Sequence, residues 1–170
     1  MDGKALIERL ATQAELFPRI LDDVTPEQTL WRPAPDKWSL LEVVCHLRDE
    51  EREDFRQRLR LTLEDPSQPW PGIDPPGWVT ERDYATQEWC AVLADFLAER
   101  TASLHWLGTL EDPAWENAYE HPLLGEIRAG DILTSWVGHD LLHFRQILGL
   151  QWAWNARLAE PFTPDYAGEW

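Results

Sequence analysis

Residues 64–79 carry Pro66, Pro69, Pro71, Pro75 and Pro76 together with Trp70 and Trp78. A proline has no N–H to donate, and its ring clashes with the preceding helical turn, so no regular element is expected to run through this stretch. It reads as a long rigid loop dividing the chain. Loops of this length inside compact domains are uncommon and often functional, and a long crossover lets the helices it joins run parallel. A lid or pocket wall fits that role, and so does a passive crossover whose tryptophans cover one end of a bundle.

Helical periodicity flanks the loop on both sides. Leu6, Ile7, Leu10, Ala14, Phe17 and Leu21 recur at helical spacing over residues 3–22, with Asp2, Glu8, Arg9 and Glu15 on other faces. A connection with Pro26, Pro33 and Pro35 follows, in which Thr25 is placed to cap a short turn. Ser39 and Glu42 form a capping box that opens a second helix over 39–63, with Leu40, Val43, Val44, Leu47, Phe55 and Leu59 on its apolar face. Thr80 with Asp83 resembles another cap and opens a third helix over 80–108. Pro113, Pro122 and Gly125 interrupt the pattern before a fourth helix over 129–151, and the tail with Pro161 and Pro164 reads as irregular. Neither strand alternation of useful length nor an internal repeat is found. The expectation is an all-α chain, a four-helix bundle forming one domain over residues 1–170.

Charge narrows the partners. Thirty-one acidic against fifteen basic residues give a net charge of -16, which repels phosphate backbones and anionic lipid surfaces, so neither nucleic acid nor membrane is expected as a partner. The N-terminus turns polar too early for a signal peptide, and no window approaches the roughly 20 apolar residues of a membrane span, which predicts a cytoplasmic location. Cys45 and Cys90 lie in apolar helical patterns and are expected as buried, reduced thiols. Most of the 11 tryptophans are expected to be packing.

His139 and His143 stand four residues apart in the fourth helix. At that spacing Cβ atoms are about 5 to 6 Å apart, and two imidazoles can converge on one ion at roughly 2.0 to 2.1 Å. Ile132, Trp136, His139, His143, Gln146 and Leu150 share one stripe, so the histidines hold positions where a bundle ordinarily places leucine. A core imidazole must be hydrogen-bonded or ligated. His46 in the second helix is a candidate third vertex: Glu42, Asp49 and Glu50 fall within about 60° of it on a helical wheel. It is expected at the edge of the buried arc, where a cleft is wet. His105, near a helix C-terminus, and His121, before Pro122, are the alternatives to it.

Three neutral imidazoles leave a coordination position open, which points to catalysis or exchangeable ligands. Zinc is the first choice of ion, and nickel, iron and manganese also accept imidazole. Glu50 is a candidate fourth ligand or base beside a bound water. Gln146 is placed to orient a water or an imidazole, and Trp136 to line the pocket. Arg145 is placed either to bind an anionic group or to pair with Asp49.

Trp31-x-Pro33, Lys37-Trp-Ser39, Glu42-Val-Val-Cys-His-Leu-Arg-Asp49, Pro71-Gly-Ile-Asp-Pro-Pro-Gly-Trp78 and Trp136-Val-Gly-His-Asp-Leu-Leu-His-Phe-Arg-Gln146 occur in that order. The set resembles the DinB-like superfamily from about residue 5 to about residue 150. The resemblance implies an up-down-down-up bundle with a divalent metal on three histidines, here His46, His139 and His143. It also implies metal-dependent transferase or isomerase chemistry with a low-molecular-weight thiol, no nucleic-acid-binding motif, and homodimers among relatives. The resulting expectation is an enzyme whose metal activates a thiol or water, with Glu50 or Asp49 managing a proton. The competing class is a non-enzymatic metal-binding or stress-response module, and a bundle with vestigial histidines is the third.

Overall fold

Asp2 Oδ1 accepts the amide of Ala5 and opens α1, Gly3–Ile20, which buries Leu10, Gln13 and Phe17. The computed structural model describes residues 1–168. Thr25 caps the short α2, Pro26–Leu30, with Pro26 in the first turn where its missing N–H costs nothing. The capping box at Ser39 is formed from both sides: Glu42 N donates to Ser39 Oγ at 3.3 Å, and Ser39 N donates to Glu42 Oε2 at 2.8 Å. It opens α3, Leu40–Glu50, which continues through a π turn, Glu51–Phe55, into α4, Arg56–Glu64. A π turn holds an extra residue and rotates the helix beyond it; here both of its ends, Glu51 and Phe55, are buried.

The proline-rich stretch is not wholly irregular. Asp74 Oδ1 accepts the amide of Gly77 at 3.2 Å and opens α5, Pro75–Glu81, whose first turn again tolerates proline. A Cβ at Gly77 would lie 2.1 Å from Asp74 Oδ2, so the cap requires glycine there. The start expected at Thr80 is not made. Asp83 instead adopts the left-handed region at φ 47, Tyr84–Thr86 forms a single 3-10 turn, and α6, Trp89–Gly108, begins at a Glu88 cap.

A hairpin that the sequence did not signal follows: β1, Ala118–His121, pairs antiparallel with β2, Gly125–Arg128, in the register Ala118↔Arg128 and His121↔Gly125. Each strand has 4 residues, too few for alternation to register as a pattern. The hairpin leads directly into α7, Ala129–Ala159, eight residues longer than expected. It runs past the expected end at 151, where Trp154 is buried and packs on Trp31 at 5.4 Å.

One apolar cluster gathers Phe17, Leu41, Val44, Phe96 and Ile147; the other gathers Leu10, Phe55, Leu59, Leu107 and Trp136. Helix α3 packs on α6, and α7 packs on α1 and α4, which brings α3 and α7 together at the level of the histidines. Cys45 is buried, whereas Cys90, in the exposed first turn of α6, is not the buried thiol expected. No helix among the described residues is long and apolar enough to cross a membrane.

Candidate metal centre

His46 from α3 meets His139 and His143 from α7, and one ring nitrogen from each lies within 4.8 Å of the other two. Ring centroids are 5.4 Å apart for His46 and His139, 4.8 Å for His46 and His143, and 4.3 Å for the α7 pair. His46 is not at a wet edge: it is 7% exposed, because α3 is covered by α6, α5 and α7 and buries every residue but Arg48. Trp38 and Phe55 close over the rings, at 5.0 Å from His46 and 4.9 Å from His139. His105 is exposed on α6 and His121 lies in the hairpin, so neither joins the cluster.

The proton order is set by Gln146. Its carbonyl oxygen lies 2.8 Å from His143 Nδ1, so Nδ1 carries the proton and Nε2 presents a lone pair. His139 Nε2 faces that lone pair at 3.0 Å, and with the His139 proton on Nδ1 both nitrogens turn lone pairs toward one ion. Two imidazole nitrogens on one tetrahedral zinc stand roughly 3.3 Å apart, so the pair is already near the separation an ion needs. His46 Nδ1 is buried with no hydrogen-bond partner, at 4.0 Å from Glu50 Oε1. An orphaned buried nitrogen is costly, and three imidazoles meeting here are a donor set that a divalent transition metal takes. Burial, reinforced at His46 and His139 by neighbouring histidines, pushes the pKa values down to about 3 for His46, about 2 for His139 and about 4 for His143. All three are therefore neutral at pH 7, the form that ligates.

The two candidate carboxylates separate. Burial first, and then the charge of Asp54, raise the Glu50 pKa to about 8, so this carboxyl holds a proton close to neutrality beside His46. Asp49 accepts from Arg48 Nε at 2.7 Å, Arg82 Nη1 at 2.8 Å and Tyr84 Oη at 2.8 Å. Although burial opposes it, these donors keep its pKa low, and the carboxylate ties the segment before α6 to α3. Asp49 is thus held as an ionised anchor of that segment. Arg145 is exposed on α7 and is not a partner of Asp49. Trp136 is fully buried, and its indole N–H donates to Glu51 Oε2 at 3.0 Å.

That bond belongs to a network the sequence reading missed. Arg100 on α6 donates to Asp140 through Nη1 at 2.6 Å and Nη2 at 2.8 Å, and to Glu51 through Nε at 2.9 Å. Burial works against its charge, but Glu51 and Asp140 more than offset that and hold the guanidinium protonated above its ordinary range. Arg100 thereby joins the start of the π turn to Asp140, the residue after His139. A signal was available: Phe96, Arg100, Ser103 and Leu107 lie on one face of α6, with arginine in an apolar row.

The sequence profile of the DinB superfamily matches residues 9–147, most of the chain. The chain belongs to the DinB superfamily. A comparison with curated proteins gives no match. Among solved structures this DinB superfamily chain is similar to YfiT from Bacillus subtilis, described as a probable metal-dependent hydrolase with an unusual four-helix bundle topology. The TM-score is 0.77 at 21% identity, covering 88% of this chain and 85% of that one. At that identity the likeness establishes a shared helical-bundle fold.

Proposed function

We propose that His46, His139 and His143 hold a divalent transition metal, zinc first, and that this DinB superfamily member uses it to activate a small nucleophile. The observation that carries this reading is the meeting of three neutral, buried imidazoles, one ring nitrogen from each within 4.8 Å of the other two. A divalent ion bound there supplies Lewis acidity, which lowers the pKa of a coordinated thiol or water toward neutrality.

The chain's own residues do the rest. Gln146 holds the His143 proton on Nδ1 and turns Nε2 inward. Glu50, with a pKa of about 8 close to neutral pH, is the group placed to take a proton from the nucleophile through its ionised fraction and return it to a leaving group. Asp54 hydrogen-bonds Glu50 and steadies the carboxyl that does this. Trp38 and Phe55 narrow the approach and exclude water from the rings.

With a low-molecular-weight thiol as nucleophile the reaction is S-transfer to an electrophile. Water as nucleophile is the second reading, favoured by the likeness to YfiT, and makes the chain a hydrolase. The up-down-down-up path is proposed with it, supported by the long crossover between α4 and α6 and the packing of α7 on α1. The test is metal content. Purified protein is expected to hold one transition metal per chain, lost in His143→Ala. Protein that neither contains nor binds zinc or nickel would overturn the reading. Metal-loaded protein that consumes neither thiol nor ester across a substrate panel would make it a binding module.

A further inference from the structure

A cavity of about 460 Å³ lies between α4, the proline-rich loop and the hairpin, and none of the three clustered histidines lines it. Its walls are pre-formed. Trp70 is anchored by its N–H to Thr62 Oγ1 at 3.3 Å and stacks on Tyr119 at 4.4 Å and 21°. Leu123 at the hairpin tip, 88% exposed, stands at the mouth as uncovered apolar surface.

Two of the lining side chains, Arg58 and His121, carry N–H donors. In a chain with 31 acidic residues, no carboxylate is among the residues lining this cavity, but Arg58 and His121 are. The guanidinium of Arg58 lies 4.9 Å from the Trp70 ring centroid. Its Nε is 2.9 Å from Asp54 and its Nη2 reaches Pro71 O at a long 3.4 Å, which leaves most of its donor edge for a ligand. His121 Nδ1 accepts from the amides of Leu123 and Leu124, each at 3.2 Å. A ring nitrogen that accepts carries no proton, so the imidazole N–H is on Nε2 and the hairpin fixes it there.

We propose that this cavity binds a small organic carboxylate with a flat apolar body. Arg58 and His121 Nε2–H hold the carboxylate, and Trp70, Tyr119 and Leu123 cover the body. Planar guanidinium matches carboxylate geometry, aromatic walls match a flat apolar body, and the volume is that of a small-ligand site. A neutral isostere leaves the donors facing an amide and loses the charge-assisted bonds.

The probe is phenylacetate, with phenylacetamide as its neutral isostere, titrated into the full 15N-labelled chain both as purified and after chelator treatment. The readout is the Trp70 indole N–H resonance, assigned with Trp70→Phe. A saturable shift with phenylacetate is expected, at least tenfold weaker with the amide and lost in Arg58→Gln. Because Arg58→Gln also strips Asp54 of its partner, Leu123→Glu provides the second variant: its exposed position spares the fold, and its charge at the mouth should weaken phenylacetate at least threefold. No saturable shift, equal binding of acid and amide, or an unchanged affinity in Leu123→Glu overturns the proposal. Since chelated protein is included, loss of the metal reading and loss of this one are distinguishable.

Discussion

Arg100 and Asp140 face each other across α6 and α7 in a two-bond fork of 2.6 and 2.8 Å, both side chains shut away from solvent. Cutting one side of a buried ion pair strands the other charge, which costs more than the pair itself contributes. Arg100→Met therefore leaves Glu51 and Asp140 unpaired and should lower unfolding free energy by about 3 to 5 kcal/mol, read from urea denaturation. The triple change Arg100→Met, Glu51→Gln, Asp140→Leu should recover most of that loss. If the triple variant is as unstable as the single one, packing volume and not charge explains the cost.

Gln146 acts on the metal only through His143. Gln146→Leu keeps the size of the side chain but removes the acceptor that fixes the His143 tautomer, so zinc affinity should fall about 10- to 100-fold. Competition against a chromophoric chelator measures it. An unchanged affinity would mean that the 2.8 Å contact does not orient the ring.

Acid should destabilise the metal-free chain early. Histidines in the unfolded chain titrate near 6.5, whereas His46, His139 and His143 are depressed to about 3, 2 and 4. Between pH 6.5 and 4 the unfolded chain thus binds up to three more protons, and stability falls as the pH drops. Glu50 opposes this. Its raised pKa makes a contribution that is full below about 4.5 and lost as the pH rises through about 8. Asp54 and Asp140, also raised by burial, oppose it toward lower pH, so between pH 6.5 and 5.5 the net loss is expected to be smaller than the roughly 4 kcal/mol per pH unit of three protons at about 1.4 kcal/mol each. Urea midpoints at pH 7 and 5.5 test it, and a flat profile would contradict the depressed values.

The same residues show what a sequence can and cannot disclose here. Ser39 and Glu42 are a local device, four residues closing on themselves, and the start of the helix they open is legible from that spacing alone. Thr80 and Asp83 present the same local pattern without the outcome, because Asp83 turns left-handed and the chain must travel to Glu88 before a helix can start. The end of α7 differs for the opposite reason: nothing local carries the helix past Gln151, whereas Trp154 is buried there by a tertiary contact with Trp31. His139 and His143 declare themselves by spacing within one helix. Their meeting with His46, and the buried triad of Arg100, Glu51 and Asp140, require knowing which helix faces which, and so does the cover that removes His46 from a wet edge.

Glu50 supplies the sharpest test of chemistry against structure. At neutral pH its carboxyl, with a pKa of about 8, is mostly protonated, so Glu50→Gln is close to an isostere of the resting state and should leave stability nearly unchanged. Metal should be retained as well, since the three imidazoles do not depend on that side chain for their tautomers. What the amide cannot do is accept a proton. If Glu50 manages the proton of an activated thiol or water, metal-loaded Glu50→Gln should lose about 10²- to 10⁴-fold in turnover with its metal content intact. Turnover equal to that of the parent chain would assign the proton to solvent and reduce Glu50 to a buried partner of Asp54.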